Sequence, residues 1–183
     1  MKILLTGSTG YIGKRLLPVL IELGHEVVCC VRDIKRFNPP ESLREKITVI
    51  EVDLLDKESL ANIPQDIDGA YYLVHSMSSS DDYQDLEESC AANFRNALNN
   101  TAVKHVIYLG GIINEKELSE HLRSRQNVEI ELSKGKYHFT ALRAGIIIGS
   151  GSASFEIIRD LVEKLPIMIA PKWLHTRCQP IGI

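Results

Sequence analysis

The sequence predicts an α/β fold, a doubly wound parallel sheet, from three observations. Short apolar runs alternate with segments of helical periodicity along the 183 residues. Most of these runs are apolar throughout, as strands covered on both faces are. A glycine-rich turn, Thr6-Gly7-Ser8-Thr9-Gly10-Tyr11-Ile12-Gly13, joins the first run to the first helical segment. Parallel neighbours need a crossover, and a right-handed crossover lays helices on both faces of the sheet. With 44% hydrophobic and 25% charged side chains, the chain can bury one sizeable core, and residues 1–183 read as a single domain.

Residues 2–6 read as the first buried strand. The helix after it places Ile12, Leu16, Leu17, Leu20 and Ile21 on one face before Gly24 ends it. Residues 26–31 form the second strand, which stops at Arg32-Asp33. Pro39-Pro40 punctuates a loop ahead of a helical turn over 42–45, and a third strand over 47–52 ends at Asp53. Asp56 caps a short helix over 57–61. A fourth strand over 70–74 runs into the polar loop His75 to Asp82, in which Ser78 to Ser80 read as loop and cap.

The next helix is long, with Tyr83, Leu86, Cys90, Phe94, Ala97 and Leu98 at helical spacing until Asn99-Asn100. A fifth strand covers 106–109, with Gly110-Gly111 at its carboxyl end. A further helix carries Leu118, Leu122, Val128 and Leu132 and stops near Gly135. Residues 138–143 make the sixth strand, 145–151 a loop and 155–165 an amphipathic helix. After Pro166 the tail is mixed apolar and ends without a capping helix.

Ligands of such sheets bind at the carboxyl ends of the strands, here Gly7, Arg32, Asp53, His75 and Gly110. At the first of these, glycines spaced G-x-x-G-x-x-G allow a tight turn, let backbone approach a pyrophosphate and let helix pack on strand. The helix then offers free N–H groups and its positive dipole end to phosphates. The motif therefore points to a dinucleotide; the alternative is a turn whose glycines serve helix packing alone. Arg32 suits the adenine face and a 2′-phosphate, which favours NADP. Asp33 beside it, turned to the ribose 2′-OH, would favour NAD. NADP is the preferred reading, with NAD left open.

A formal net charge of −3 with scattered Lys and Arg residues gives no basic stripe for nucleic acid or a membrane surface. The N-terminal apolar run is too brief for a signal-peptide core or a span. Together these read as a soluble, cytoplasmic protein. Cys29, Cys30, Cys90 and Cys178 form no C-x-x-C pair and lack a nearby His ligand pattern, so they read as reduced thiols with no metal site.

Thr6 to Gly13, Asp53-Leu54 and Leu142-Arg143-Ala144-Gly145 together resemble the extended and atypical short-chain dehydrogenase/reductases. The passages Tyr72-Leu73-Val74-His75-Ser76-Met77, His121-Leu122-Arg123-Ser124-Arg125-Gln126 and 147–156 are similar to the NAD(P)H-binding, nucleoside-diphosphate-sugar-epimerase-like (NmrA-like) branch. The resemblance implies an NAD(P)-binding Rossmann fold, in which Gly7, Thr9, Gly10, Tyr11, Ile12, Gly13, Arg32, Asp53, Leu54, Val74 and His75 hold the cofactor. It implies that Asp53 accepts from the adenine amino group, or otherwise caps its helix, and that His75 and Ser76 lie beside the nicotinamide ribose. It also implies a C-terminal substrate lobe beyond the motif around Gln179-Pro180-Ile181, so that residues 1–183 are expected to be a truncated piece of such a protein without that lobe.

The family's catalytic tetrad is Asn, Ser, Tyr and Lys. Asn93 matches the asparagine, while Gly110-Gly111 stand where the serine is expected. None of the six tyrosines has Lys four residues on. By spacing, His121 and Arg125 fill the Tyr and Lys places, with Glu129 where the family often has an acid. An imidazole can donate a proton near neutral pH, and a guanidinium can hold a ribose or phosphate; a pair of solvated helix residues is the plainer alternative. Two functions stay open: an NAD(P)-binding module with a degenerate tetrad, and an active NADP-dependent oxidoreductase or epimerase-like enzyme acting on a small molecule.

Overall fold

A computed structural model describes residues 1–75, 83–113, 119–164 and 179–183. The chain divides into two compact units, residues 1–142 and 143–183. The strands are β1 (Lys2–Thr6), β2 (Glu26–Val31), β3 (Ile47–Glu51), β4 (Gly69–Tyr72), β5 (His105–Gly111), β6 (His138–Ala144), β7 (Ile146–Ile148) and β8 (Pro180–Gly182). The helices are α1 (Tyr11–Glu22), the single turn α2 (Glu41–Arg44), α3 (Tyr83–Leu98), α4 (Glu120–Ser133) and α5 (Ala153–Lys164).

Six strands form one sheet in the order β3-β2-β1-β4-β5-β6. The β3–β2, β2–β1, β1–β4 and β4–β5 ladders are all parallel, with Ile3 opposite both Val27 and Gly69. The order reverses between β1 and β4, the switch point at which open α/β sheets bind ligands. Successive residues of each strand face opposite sides, so the sheet feeds two cores. Leu4, Val28, Ala70, Tyr72, Val106 and Tyr108 meet Phe94 and Leu98 of α3 and Val128 and Leu132 of α4. Ile3, Leu5, Val27 and Cys29 meet Leu17 and Leu20 of α1. Tyr72 and Phe94 pack edge to face with ring centroids 5.0 Å apart.

Several expectations need correction. Residues 57–61 form no α-helix: Ser59–Asn62 is a 3₁₀ turn, and Asp56 instead closes a local turn by accepting from the Glu58 N–H at 3.0 Å. The fourth strand ends at Tyr72, while the fifth continues through both Gly110 and Gly111. On α3, Leu86 is 44% exposed and Glu87 is buried. The 145–151 stretch holds β7, paired in parallel with β8 across Ile147 and Ile181. In that second unit Ser152 starts α5, accepting from the Phe155 N–H at 3.1 Å and donating to the Ile147 carbonyl at 2.8 Å. Leu118, Cys178 and the serines at 78–80 lie outside the described residues.

Cys29 and Cys30 point to opposite cores, and burial pushes both thiols up to about 12. They and the half-buried Cys90 are free thiols. Among the described residues no helix is long and apolar enough to cross a membrane.

Candidate functional site

Between Thr6 and Tyr11 the chain turns from strand to helix, and its glycines do three different things. Gly7 sits at φ +67°, the left-handed region that disfavours a Cβ, and a Cβ there would stand 2.8 Å from the Leu73 carbonyl oxygen. The Gly10 N–H closes the turn onto the Gly7 carbonyl at 2.9 Å, and the Gly10 carbonyl accepts from the Lys14 N–H at 3.0 Å. A Cβ on Gly13 would run into the Gly7 carbonyl and lie 2.7 Å from Ser8 Cα, so only glycine lets α1 descend this closely onto the turn.

The first turn of α1 has no acidic residue, and Gly10 provides no side-chain cap. The leading N–H groups, at Tyr11, Ile12 and Gly13, are thus presented at the positive end of the helix dipole. The Tyr11 hydroxyl is buried with no hydrogen-bond partner, while the buried Ser8 hydroxyl lies within reach of the Cys29 thiol. Arg15 stacks over the Tyr11 ring at 4.7 Å. Thr6 locks the switch point: its hydroxyl donates to the Tyr71 carbonyl at 3.0 Å and accepts from the Leu73 N–H at 3.2 Å, tying β1 to β4. A buried, unpartnered Tyr11 hydroxyl, an uncapped helix end and a Cβ-free approach fit a pyrophosphate.

Beside this cradle lies a cavity of about 520 Å³, lined among others by Ser8, Thr9, Lys14, Arg36, Asn38 and Arg44. Sequence reasoning found Arg32 at this end of the sheet but missed Lys14, Arg36 and Arg44. The signal for Arg36 and Arg44 was a cluster of bases at 32–46, which only the fold of the 36–44 segment against the glycine turn and Lys14 makes coherent. Arg32 stands exposed at the end of β2. Asp33 is engaged locally: its carboxylate accepts from the Lys35 N–H at 2.9 Å and pairs with Arg36 Nε at 3.3 Å.

Past β3, Asp53 spends one carboxylate oxygen on the Leu55 N–H at 3.0 Å, while its backbone N–H donates to Ser59 Oγ at 2.9 Å. Buried Leu54 gives its carbonyl to Asn93 Nδ2 at 2.9 Å. Asn93 is therefore bonded to the Asp53-Leu54 loop.

The remaining site residues gather at the ends of β4 and β5. Val74 packs partly buried on the core, and His75 follows it; Ser76 lies outside the described residues. On α4, Arg125 Nε donates to His121 Nε2 at 3.1 Å. An imidazole that accepts on Nε2 is neutral and carries its proton on Nδ1. Partial burial and the Arg125 charge lower the His121 pKa, with Glu87 acting the other way. His75 is lowered by burial first, then by Arg125, while Glu87 raises it and His121 lowers it further. These two histidines, Arg125 and Glu87 thus share one electrostatic neighbourhood. Glu87, 6% exposed, accepts from Ser124 Oγ.

The Gly-Gly pair has a steric account. A Cβ on Gly111 would lie 2.8 Å from Leu122 Cδ2 and 3.4 Å from Arg125 Cδ, and one on Gly110 would lie 2.8 Å from the Tyr108 ring. The room of a serine side chain at Gly111 is taken by the α4 residues themselves.

Comparison with known proteins agrees with the fold. A divinyl chlorophyllide a 8-vinyl-reductase from Arabidopsis thaliana is 24% identical over 178 residues, 87% of this chain and 42% of that protein. The Citrobacter triphenylmethane reductase complexed with NADP(H) superposes with a TM-score of 0.66 at 19% identity, covering 80% of this chain and 50% of that one. A UDP-glucuronic acid 4-epimerase from Bacillus cereus, in complex with NAD, gives 0.68 at 21% identity, covering 92% and 65%. The chain spans less than two thirds of each of these proteins. Residues 3–112, well over half of the 183, match the NAD dependent epimerase/dehydratase family, and the chain belongs to that family.

Proposed function

We propose that this chain binds NADP(H) in preference to NAD(H) and forms the cofactor-binding part of a reductase acting on a small molecule. The observation that carries the cofactor preference is the basic cavity beside the glycine turn, together with the local engagement of Asp33. A carboxylate already paired with Lys35 N–H and Arg36 is a poor acceptor for a ribose 2′-OH. Lys14, Arg36 and Arg44 line the cavity together with Glu41, which pairs with Arg44 at 3.5 Å, so a 2′-phosphate there would meet more cations than carboxylates. When bound, the dinucleotide supplies or accepts a hydride; this chain's residues hold its phosphates, its adenine edge at Asp53 and its nicotinamide end near Val74 and His75.

Calorimetry with NADPH and NADH on the parent chain, Arg32→Ala and Arg36→Ala tests the reading. NADPH affinity falls at least tenfold in either variant while NADH affinity stays put; an equal loss for both cofactors refutes the phosphate contact. Binding without turnover is the second reading, favoured by the Arg125–His121 hydrogen bond, which keeps that imidazole neutral and a weak acid. NADPH oxidation with carbonyl or quinone acceptors, slowed at least tenfold by His121→Ala, excludes it.

A further inference from the structure

Arg125 lies beside Gly111 at the carboxyl end of β5. The aliphatic stem passes 3.4 Å from where a Gly111 Cβ would stand. Its backbone is pinned from two sides: Tyr108 Oη donates to the Arg125 carbonyl at 3.2 Å, and the neighbouring Ser124 hydroxyl donates to buried Glu87. Its Nε is committed to His121 Nε2 at 3.1 Å. Among the described residues its Nη edge has no recorded acceptor, which leaves one planar, two-pronged donor face. A guanidinium held this way is built for two oxygens in a plane.

The surrounding groups narrow the class further. His121, accepting from Arg125 Nε, keeps its Nδ1–H as a donor beside the guanidinium without adding charge, while the His75 ring is already engaged with the Leu73 backbone. Glu87 and, one turn along α4, Glu129 act on this same neighbourhood and oppose the Arg125 charge. With those carboxylates already opposing the guanidinium, each further negative charge on a ligand is repelled in proportion, so a dianion is disfavoured more than a monoanion. A monoanion is therefore favoured over a dianionic phosphate.

We propose that Arg125, beside Gly111 and hydrogen-bonded through Nε to His121, is a carboxylate-binding residue, so that the substrate is a small monocarboxylate held beside the nicotinamide end. This rests on the cofactor reading for its placement next to a reacting carbon, but the anion site itself does not need the cofactor.

The test titrates the chain, with and without NADPH, using sodium lactate, neutral lactamide and inorganic phosphate as probes. Imidazole C–H signals of His75 and His121, assigned through His75→Gln and His121→Gln, provide the readout. Lactate is expected to shift both signals saturably and lactamide neither, and Arg125→Ala should weaken the lactate response at least tenfold. Gly111→Ser, which crowds Leu122 and Arg125, and Arg125→Lys, which keeps the charge without the fork, should weaken it too. They carry the test if the alanine variant fails to fold. A missing lactate response, an equal response to lactamide, a tighter response to phosphate, or a response unchanged in the variants overturns the proposal. NADPH affinity is read by calorimetry on the same samples. A chain that binds NADPH and ignores lactate loses only the carboxylate site, and one that responds to lactate without binding NADPH loses only the cofactor reading.

Discussion

At Gly13 a single methyl group separates a working turn from a blocked one. A Cβ there would meet the Gly7 carbonyl and Ser8 Cα, so Gly13→Ala must push α1 away from the turn that its N–H groups serve. Overpacking of this kind costs about 1–3 kcal/mol, and the same displacement should lower NADPH affinity at least tenfold. Urea titration and calorimetry read the two effects; undiminished NADPH binding in this variant would show that close approach is not needed. The spacing of three glycines made this position legible from sequence alone. Glu87 was less so. It continues the helical stripe of Cys90 and Phe94, where a carboxylate breaks the apolar pattern, and that break is the one sign that a buried acid faces Ser124. Reading Leu86 onto the stripe hid it, because adjacent residues differ by only 100° on a helix.

Among elements, the β1–β4 pair decides where a ligand can enter. Thr6 bridges the two strands with one hydroxyl that both donates and accepts, satisfying the Tyr71 carbonyl and the Leu73 N–H just where the ladder ends. Thr6→Val keeps shape and β-propensity but strands those two groups, so a destabilisation of about 1–3 kcal/mol is expected, measured as a lower urea midpoint with an unchanged slope. A variant as stable as the parent would mean that water replaces the hydroxyl. Apolar runs and turn residues revealed all six strands of the main sheet, since a buried parallel strand announces itself by composition. They did not reveal β7 or β8. Each is three residues long and owes its existence to its partner more than thirty residues away, a dependence no local pattern carries. The cations at 36 and 44 were missed for the same reason: a cavity wall is a long-range property.

For the molecule as a whole, the depressed pKa values of His75 and His121 bear on stability against pH. In the folded state desolvation first and the Arg125 charge second, with Glu87 opposing, make both imidazoles take up protons less readily than in the unfolded chain. Below the ordinary histidine value near 6.5, the unfolded state therefore binds more protons, and folding free energy falls as pH drops through the folded-state values. Urea midpoints should decline between neutral pH and the acid side of 6.5. The decline should be shallower in a His75→Gln, His121→Gln double variant; an equal decline there would assign it to other groups. A further consequence comes from the strand order. β1, which leaves the ribosome well before β4, pairs with it, so that Ile3 waits for Gly69 and the Gly7 turn settles against Leu73. During synthesis the nucleotide motif is present long before it has a seat, and its glycines stay a loose loop until some sixty-five further residues have emerged. Such late closure of a central strand belongs to slow, high-contact-order folding. The motif becomes a binding site only after the chain has reached the middle of its sheet.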